Sequence, residues 1–201
     1  MSCLVSRKAP DFTAPAVLGS GEIVSSFNLA KATEGKYGLL FFYPLDFTFV
    51  CPTELIALEH RMKEFHAHNV EVIAVSIDSH FTHNAWRNTA IDKGGIGPVS
   101  FTMVADINHQ ITQAYGVEHP GLGAAFRSSF IIDDHGVVRI QQVNDLPIGR
   151  NIDELLRLVD ALQHNAKHGE VCPSNWKKGQ AAMKANPAGV AAYLKDNHEG
   201  L

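Results

Sequence analysis

Tyr43-Pro44-Leu45-Asp46-Phe47-Thr48-Phe49-Val50-Cys51-Pro52-Thr53-Glu54 is the stretch on which the fold turns. It follows Gly38-Leu39-Leu40-Phe41-Phe42, an apolar run bounded by glycine that reads as a fully buried strand. Beyond Pro52 the period changes. Leu55, Leu58, Met62 and Phe65 recur at three- and four-residue steps among Glu59, Arg61, Lys63 and Glu64, which predicts an amphipathic helix running to about His66. Pro52 suits the first helical position, because its missing N–H has no intrahelical partner to lose. Cys51 is then the predicted N-cap, with Glu54 reaching back to its backbone N–H as in a capping box. A sulfur so placed faces unpaired N–H groups and the positive end of the helix dipole, both of which favour the anionic, reactive form. An unpaired carboxylate at Glu54 works against this, so the arrangement requires a cation.

A lone cysteine is more often an inert buried side chain than a nucleophile. The strand-to-helix placement, with the hydroxyl of Thr48 three residues upstream, favours the nucleophile. Outward from this point, residues 1–37 read as a polar, turn-rich lead-in, with Gly19-Ser20-Gly21 a hairpin turn into Glu22-Ile23-Val24. The β-branched run from Val70 to Ile77 predicts a buried parallel strand. Thr82 to Ile91, which contains Trp86, predicts a helix. Phe101 to Ala105 predicts a short strand, Asn108 to Tyr115 a short helix, and Phe126 to Asp133 a buried strand returning through Asp133-Asp134-His135-Gly136. Such alternation of strands and helices implies an α/β sheet. Ile152, Leu155, Leu156, Val159 and Leu162 form the apolar face of a helix over 151–167, and a short helix is expected from Pro187 to Lys195.

With 201 residues, 45% hydrophobic and 19% charged, the chain can bury one substantial core. Its formal net charge of −4 argues against nucleic acid or an anionic membrane as partner. Met1 to Lys8 lacks the apolar core of a signal peptide, no apolar run approaches bilayer length, and three widely spaced cysteines make no disulfide framework. A cytoplasmic protein is expected. Gly94-Gly95-Ile96-Gly97 has no following Lys-Ser/Thr and is not a phosphate loop. His164 and His168 stand four apart on a helix, but no further ligand joins them. No metal, haem, flavin or nucleotide cofactor is expected.

Pro44-x-x-x-Thr48-x-x-Cys51, set in the opening stretch, resembles the active-site signature of the typical two-cysteine peroxiredoxins, within them the thioredoxin-peroxidase and alkyl hydroperoxide reductase C group. The resemblance runs from Ala9-Pro10-Asp11-Phe12 to Gly169-Glu170-Val171-Cys172-Pro173. It implies an α/β, thioredoxin-like fold: a central mixed sheet flanked by helices over 1–168, then a C-terminal arm over 169–201. By position alone Arg127 opens a buried strand, where a structural ion pair is the default. The resemblance makes it the active-site cation, since Ala125-Phe126-Arg127 ahead of Phe130-Ile131-Ile132-Asp133 matches that segment of the family. It further implies that Cys51 is the peroxidatic nucleophile and Cys172 the resolving cysteine, contributed by a partner subunit. Thr48 would hydrogen-bond the sulfur and the substrate oxygen, Pro44 would shield the pocket, Arg150 would pair with Glu54, and Trp86 would lie near the site.

The activity so implied is reduction of hydrogen peroxide and organic hydroperoxides through a sulfenic acid and an intersubunit disulfide, in antioxidant defence and redox homeostasis. Thioredoxin or a flavoprotein disulfide reductase would restore the thiols of a homodimer that assembles into a decamer. Gly94-Gly95-Ile96-Gly97 resembles the insertion of overoxidation-prone members, yet Tyr193-Leu194 stands where those carry Tyr-Phe. Two rivals are weighed. A thiol–disulfide oxidoreductase needs a Cys-x-x-Cys pair, and the second position here is Glu54. A chaperone-like oligomeric scaffold with incidental thiols is the reading outside the enzyme class.

Overall fold

A computed structural model describes residues 3–200. Residues up to Ile152 form one compact unit and those from Asp153 a second. In the first, strand β1 (Thr13–Val17) and strand β2 (Ile23–Asn28) pair antiparallel across a turn in which Gly21 takes a φ of 91°, a conformation glycine adopts freely. A one-turn helix α1 (Leu29–Ala32) follows, started by the Asn28 side chain, which accepts from Lys31 N. Strand β3 (Tyr37–Phe42) then leads through the Tyr43–Val50 loop into helix α2 (Cys51–Glu59), helix α3 (Met62–Ala67) and strand β4 (Val70–Ser76). Helix α4 (His80–Arg87), strand β5 (Thr102–Ala105), helix α5 (Gln110–Ala114) and strands β6 (Arg127–Ile132) and β7 (Val138–Asn144) complete the unit.

All seven strands join one mixed sheet in the order β2-β1-β5-β4-β3-β6-β7. Strand β3 lies next to the central β4, parallel to it and antiparallel to β6 on its other side, with Leu40 opposite both Ile73 and Phe130. Leu39, Leu40, Phe41 and Phe42 are wholly buried, as a strand covered on both faces requires. Phe42, Tyr115 and Phe130 meet edge-on or tilted, with ring centroids 4.9–5.8 Å apart. Each such side chain contributes about 1.5–3 kcal/mol by leaving water. This rigid centre aims the carboxyl end of β3, and with it the loop to Cys51, toward the amino end of β6, where Arg127 begins.

The fold class matches the expectation, and several boundaries differ. The lead-in is not merely turns: it supplies the edge hairpin β1/β2, whose short strand Thr13-Ala14-Pro15-Ala16-Val17 carries a proline that only an edge or irregular position tolerates. The helix expected from Pro52 to about His66 is broken after Glu59. At the break Arg61 N bonds to Leu58 O, and Arg61 sits at φ −111°, ψ 4°. Leu55, Leu58, Met62 and Phe65 are all buried nonetheless, so the periodicity reported the buried face but not the interruption. The helix around Trp86 starts at His80, because the Ser79 hydroxyl accepts from Thr82 N at 3.1 Å. It ends at Arg87, since Asn88 and Thr89 turn their side chains back onto the carbonyls of Asn84 and Ala85.

In the second unit lies nearly all of helix α6 (Ile152–His168), with Asp153 and Glu154 in its first turn and Lys167 and His168 in its last, matching the dipole at both ends. Val171 and Met183 exchange two backbone hydrogen bonds, 2.9 and 3.2 Å. Trp176 is buried and donates to Gln180 O. Helix α7 (Pro187–Asn197) opens with Asn186 accepting from Gly189 N and Pro187 in the first turn. His164 Nε2 lies 2.9 Å from Glu170 Oε2, and the His164 and His168 rings stand 4.6 Å apart. No described helix is long and apolar enough to cross a membrane.

Candidate active site

Cys51 is 1% exposed and stands at the first residue of α2, not at its N-cap. Val50 takes that place: its carbonyl accepts from both Thr53 N and Glu54 N, and from the Thr53 hydroxyl. Pro52 therefore occupies the second helical position, where its missing N–H is equally harmless. The expected capping box is absent. Val50 has no capping side chain, and Glu54 turns away from the helix start.

What holds Glu54 instead is a pair of buried arginines. Glu54 Oε1 accepts from Arg150 N at 2.8 Å and Arg150 Nε at 2.9 Å, while Oε2 accepts from Arg150 Nη2 at 3.0 Å and Arg127 Nη1 at 2.9 Å. The same Arg127 Nη1 lies 3.4 Å from Cys51 Sγ. One guanidinium nitrogen thus bridges the sulfur and the carboxylate. Burial alone would push the Glu54 carboxyl up, but the hydrogen bonds and charge of Arg150, with the Arg127 charge behind them, hold it below the usual carboxylate range. The adverse carboxylate is thereby neutralised, and two cations face one anion beside the thiol.

The arginines are fixed from the sheet side. Arg127 opens β6 and donates through Nε to Leu146 O at 2.6 Å. Arg150 donates through Nη1 to Ser128 O and the Ser129 hydroxyl, and its guanidinium carbon lies 3.3 Å above the Phe41 ring. Gly149 lets this segment approach α2: a side-chain carbon there would stand 3.3 Å from Val50 Cγ1.

Around this centre, Pro44 is buried in the β3–α2 loop. Thr48, three residues before Cys51, donates its hydroxyl proton to Leu45 O at 2.8 Å, which leaves its oxygen as an acceptor. Trp86 is fully buried, donates to Gly94 O, and stacks obliquely on Tyr43 and Phe47 with centroids 5.9 Å away in each case. Cys172 belongs to the second unit, half-buried, with Sγ 3.5 Å from Ala161 O. Burial pushes its thiol up, with Arg157 opposing and Glu170 adding to the shift. The cysteines Cys3, Cys51 and Cys172 are free thiols. Sequence reasoning missed the Arg127–Glu54 contact and the Leu146 carbonyl. The first leaves no local signal, because Glu54 and Arg127 stand 73 residues apart; the second, a main-chain group, has none either. Among the described residues no cluster of three or more His, Cys, Asp or Glu could hold a metal.

A thiol at a helix start, contacted by an arginine that a glutamate and a second arginine lock in place, is a specific constellation, and it coincides with a family match. The model described as the AhpC/TSA family matches residues 5–141, well over half the chain. The chain belongs to the AhpC/TSA family. A second match, described as the C-terminal domain of 1-Cys peroxiredoxin, covers 161–196. Among AhpC/TSA relatives, an alkyl hydroperoxide reductase C of Buchnera aphidicola subsp. Schizaphis graminum is 53% identical over 192 residues, 96% of this chain and 97% of that one. One from Helicobacter pylori strain J99 is 55% identical over 195 residues, 96% and 98% of the two chains. The solved structure of a reduced 2-Cys peroxiredoxin from Plasmodium vivax superposes with a TM-score of 0.93 at 45% identity, over 96% of this chain and 100% of that one. The thioredoxin-like peroxiredoxin architecture of this AhpC/TSA member is thus shared across the whole sheet and its helices.

Proposed function

We propose that the protein is a thiol-dependent peroxidase that reduces hydrogen peroxide and organic hydroperoxides at Cys51. The observation that carries this reading is the 3.4 Å contact between Arg127 Nη1 and the buried Cys51 sulfur at the start of α2. A permanent charge there stabilises the negative charge that develops on the departing oxygen. A scaffold with incidental thiols would leave a buried three-residue ion cluster around one sulfur without a purpose.

Cys51 Sγ attacks the terminal oxygen of the hydroperoxide. An S–O bond forms as the O–O bond breaks, and the leaving oxygen departs as alcohol or water with the proton the attacked oxygen carried. Thr48 Oγ1 accepts that peroxide hydrogen, and Pro44 keeps water off the sulfur. Glu54 and Arg150 hold Arg127 in place, with Trp86 packed behind the loop. Cys172 of a partner subunit then attacks the sulfenic sulfur, forming a disulfide and expelling water. A dithiol reductant, thioredoxin or a flavoprotein disulfide reductase, returns both thiols. Alkyl hydroperoxide reductase C is the name of the relatives above, and an artifactual octamer is attributed to a Plasmodium yoelii homologue modified at its N-terminus. For this chain we propose a cytoplasmic homodimer that assembles into a decamer, with 1–168 as the peroxidase domain and 169–201 as the arm bearing Cys172.

Reduced protein given one equivalent of hydrogen peroxide is expected to run as a covalent dimer on a non-reducing gel, and Cys172→Ser is expected to remain a monomer with a sulfenic acid on Cys51 by intact mass. An oxidised monomer in the wild type would replace the intersubunit disulfide by an internal one. Unoxidised Cys51 in folded protein would overturn the peroxidase itself.

A further inference from the structure

The loop from Tyr43 to Val50 carries Pro44 and Thr48 and delivers Cys51 to its position, yet its backbone is not relaxed: Phe47 adopts φ 52°, in the left-handed region that disfavours an L side chain. Something must hold it there. The holding group is Asp46, buried one residue earlier. Its Oδ1 accepts the Tyr43 hydroxyl at 2.6 Å, its Oδ2 meets His83 Nδ1 at 2.7 Å, and its backbone N–H donates to Asp78 Oδ2 at 2.9 Å. Asp78 Oδ2 also takes the Ser76 hydroxyl at 2.7 Å. His83 is wholly buried in α4, and its Nε2 lies 3.1 Å from Val104 O in β5. The hydrogen bonds of these groups run to one another and to the sheet, and none of the groups has a part in the chemistry above.

The hydrogen positions follow from the acceptors. A carbonyl only accepts, so His83 Nε2 bears a hydrogen toward Val104 O. The contact between Nδ1 and Oδ2 is attractive only with a proton between them, whether it resides on nitrogen or on oxygen. Every polar atom of the pair is then satisfied, in a place where an unsatisfied one would be costly. The loop is thereby tied to the ends of three strands and to α4.

We propose that Asp46 and His83, joined to Tyr43, are positioning residues of the peroxidase site, holding the Tyr43–Val50 loop in the conformation that presents Thr48 and Pro44 to a peroxide at Cys51. The inference rests on the reading of Cys51 as the peroxide-reactive thiol. Burial, which raises the Asp46 carboxyl, agrees with a proton kept within the pair.

The test uses the reduced full chain and two reagents, with modification of Cys51 followed by mass spectrometry after a timed quench. Hydrogen peroxide requires the placed loop; iodoacetamide requires a nucleophilic sulfur that the reagent can reach, without a placed Thr48 or Pro44. Asp46→Ala is expected to slow oxidation about tenfold, as loss of a positioning contact does, while alkylation stays within about twofold of wild type. Asp46→Asn is expected to keep both rates, because the introduced amide can donate to unprotonated His83 Nδ1 and still accept from Tyr43. Should Asp46→Ala fail to fold by circular dichroism, His83→Gln is read by the same criteria, since it keeps a donor for Val104 O but none for Asp46. Undiminished oxidation in Asp46→Ala, oxidation and alkylation falling together, or Asp46→Asn failing as badly as alanine would each overturn the proposal. A wild-type Cys51 that hydrogen peroxide leaves unoxidised would instead overturn the peroxidase reading.

Discussion

Replacing Cys51 with serine is expected to lower peroxide consumption by about four orders of magnitude or more, the scale on which removal of a nucleophile acts. The near-isosteric hydroxyl leaves the surroundings intact: Arg127 remains bonded to Glu54 and Leu146 O, and α2 still starts at Val50. What disappears is the sulfur that accepts the peroxide oxygen. Cys3→Ser, near the amino terminus and exposed, is expected to keep the full rate. Stopped-flow consumption of hydrogen peroxide with both variants decides the matter, and turnover persisting in Cys51→Ser would move the chemistry to another residue.

Glu54→Gln is expected to cost about 3–5 kcal/mol of stability, the range for removing one partner from a buried charge cluster. The carboxylate receives four hydrogen bonds from Arg127 and Arg150 and is 3% exposed. An amide leaves two buried guanidiniums facing each other without a counter-charge and offers them one acceptor oxygen instead of two. The pH dependence has a definite sign. The folded state holds the Glu54 carboxyl below its usual range, so the stabilisation is complete above the unfolded value. It is lost as pH falls through the lower, folded value. Wild type should therefore shed this contribution only in strong acid, whereas Glu54→Gln should lack that acid limb and unfold earlier at neutral pH. Urea midpoints at several pH values measure both effects; equal midpoints at neutral pH would show that the cluster does not stabilise the fold.

Much of this site was legible before any coordinates. The switch from the apolar run ending at Phe42 to helical spacing after Pro52 located the thiol at a strand-to-helix junction, and charge logic demanded a cation beside Glu54. Composition and spacing could not say which arginine. Arg127 lies 76 residues from Cys51 along the chain, and its choice came through resemblance to a family. Boundaries were read less well wherever a main-chain or short polar group decides them. Val50 carries no side-chain signal for capping, and the break after Glu59 follows no glycine or proline. Ser79 displaced the start of α4 because a hydroxyl happened to reach Thr82 N. The Asp46–His83 pair was invisible for a different reason: its partners stand 37 residues apart, and each alone resembles an ordinary polar residue near a turn.

The positive charge and the sulfur are mounted on different parts of the fold. Arg127 and Arg150 are bolted to carbonyls of the sheet and its return segment, whereas Cys51 rides on the first turn of a helix without a capping side chain. Opening that turn would carry the sulfur outward while Arg127 and Arg150 keep their bonds to Leu146 O, Ser128 O and the Ser129 hydroxyl. The mounting is that of a dock with a detachable tool: the guanidiniums that receive the sulfur do not depend on the turn that carries it.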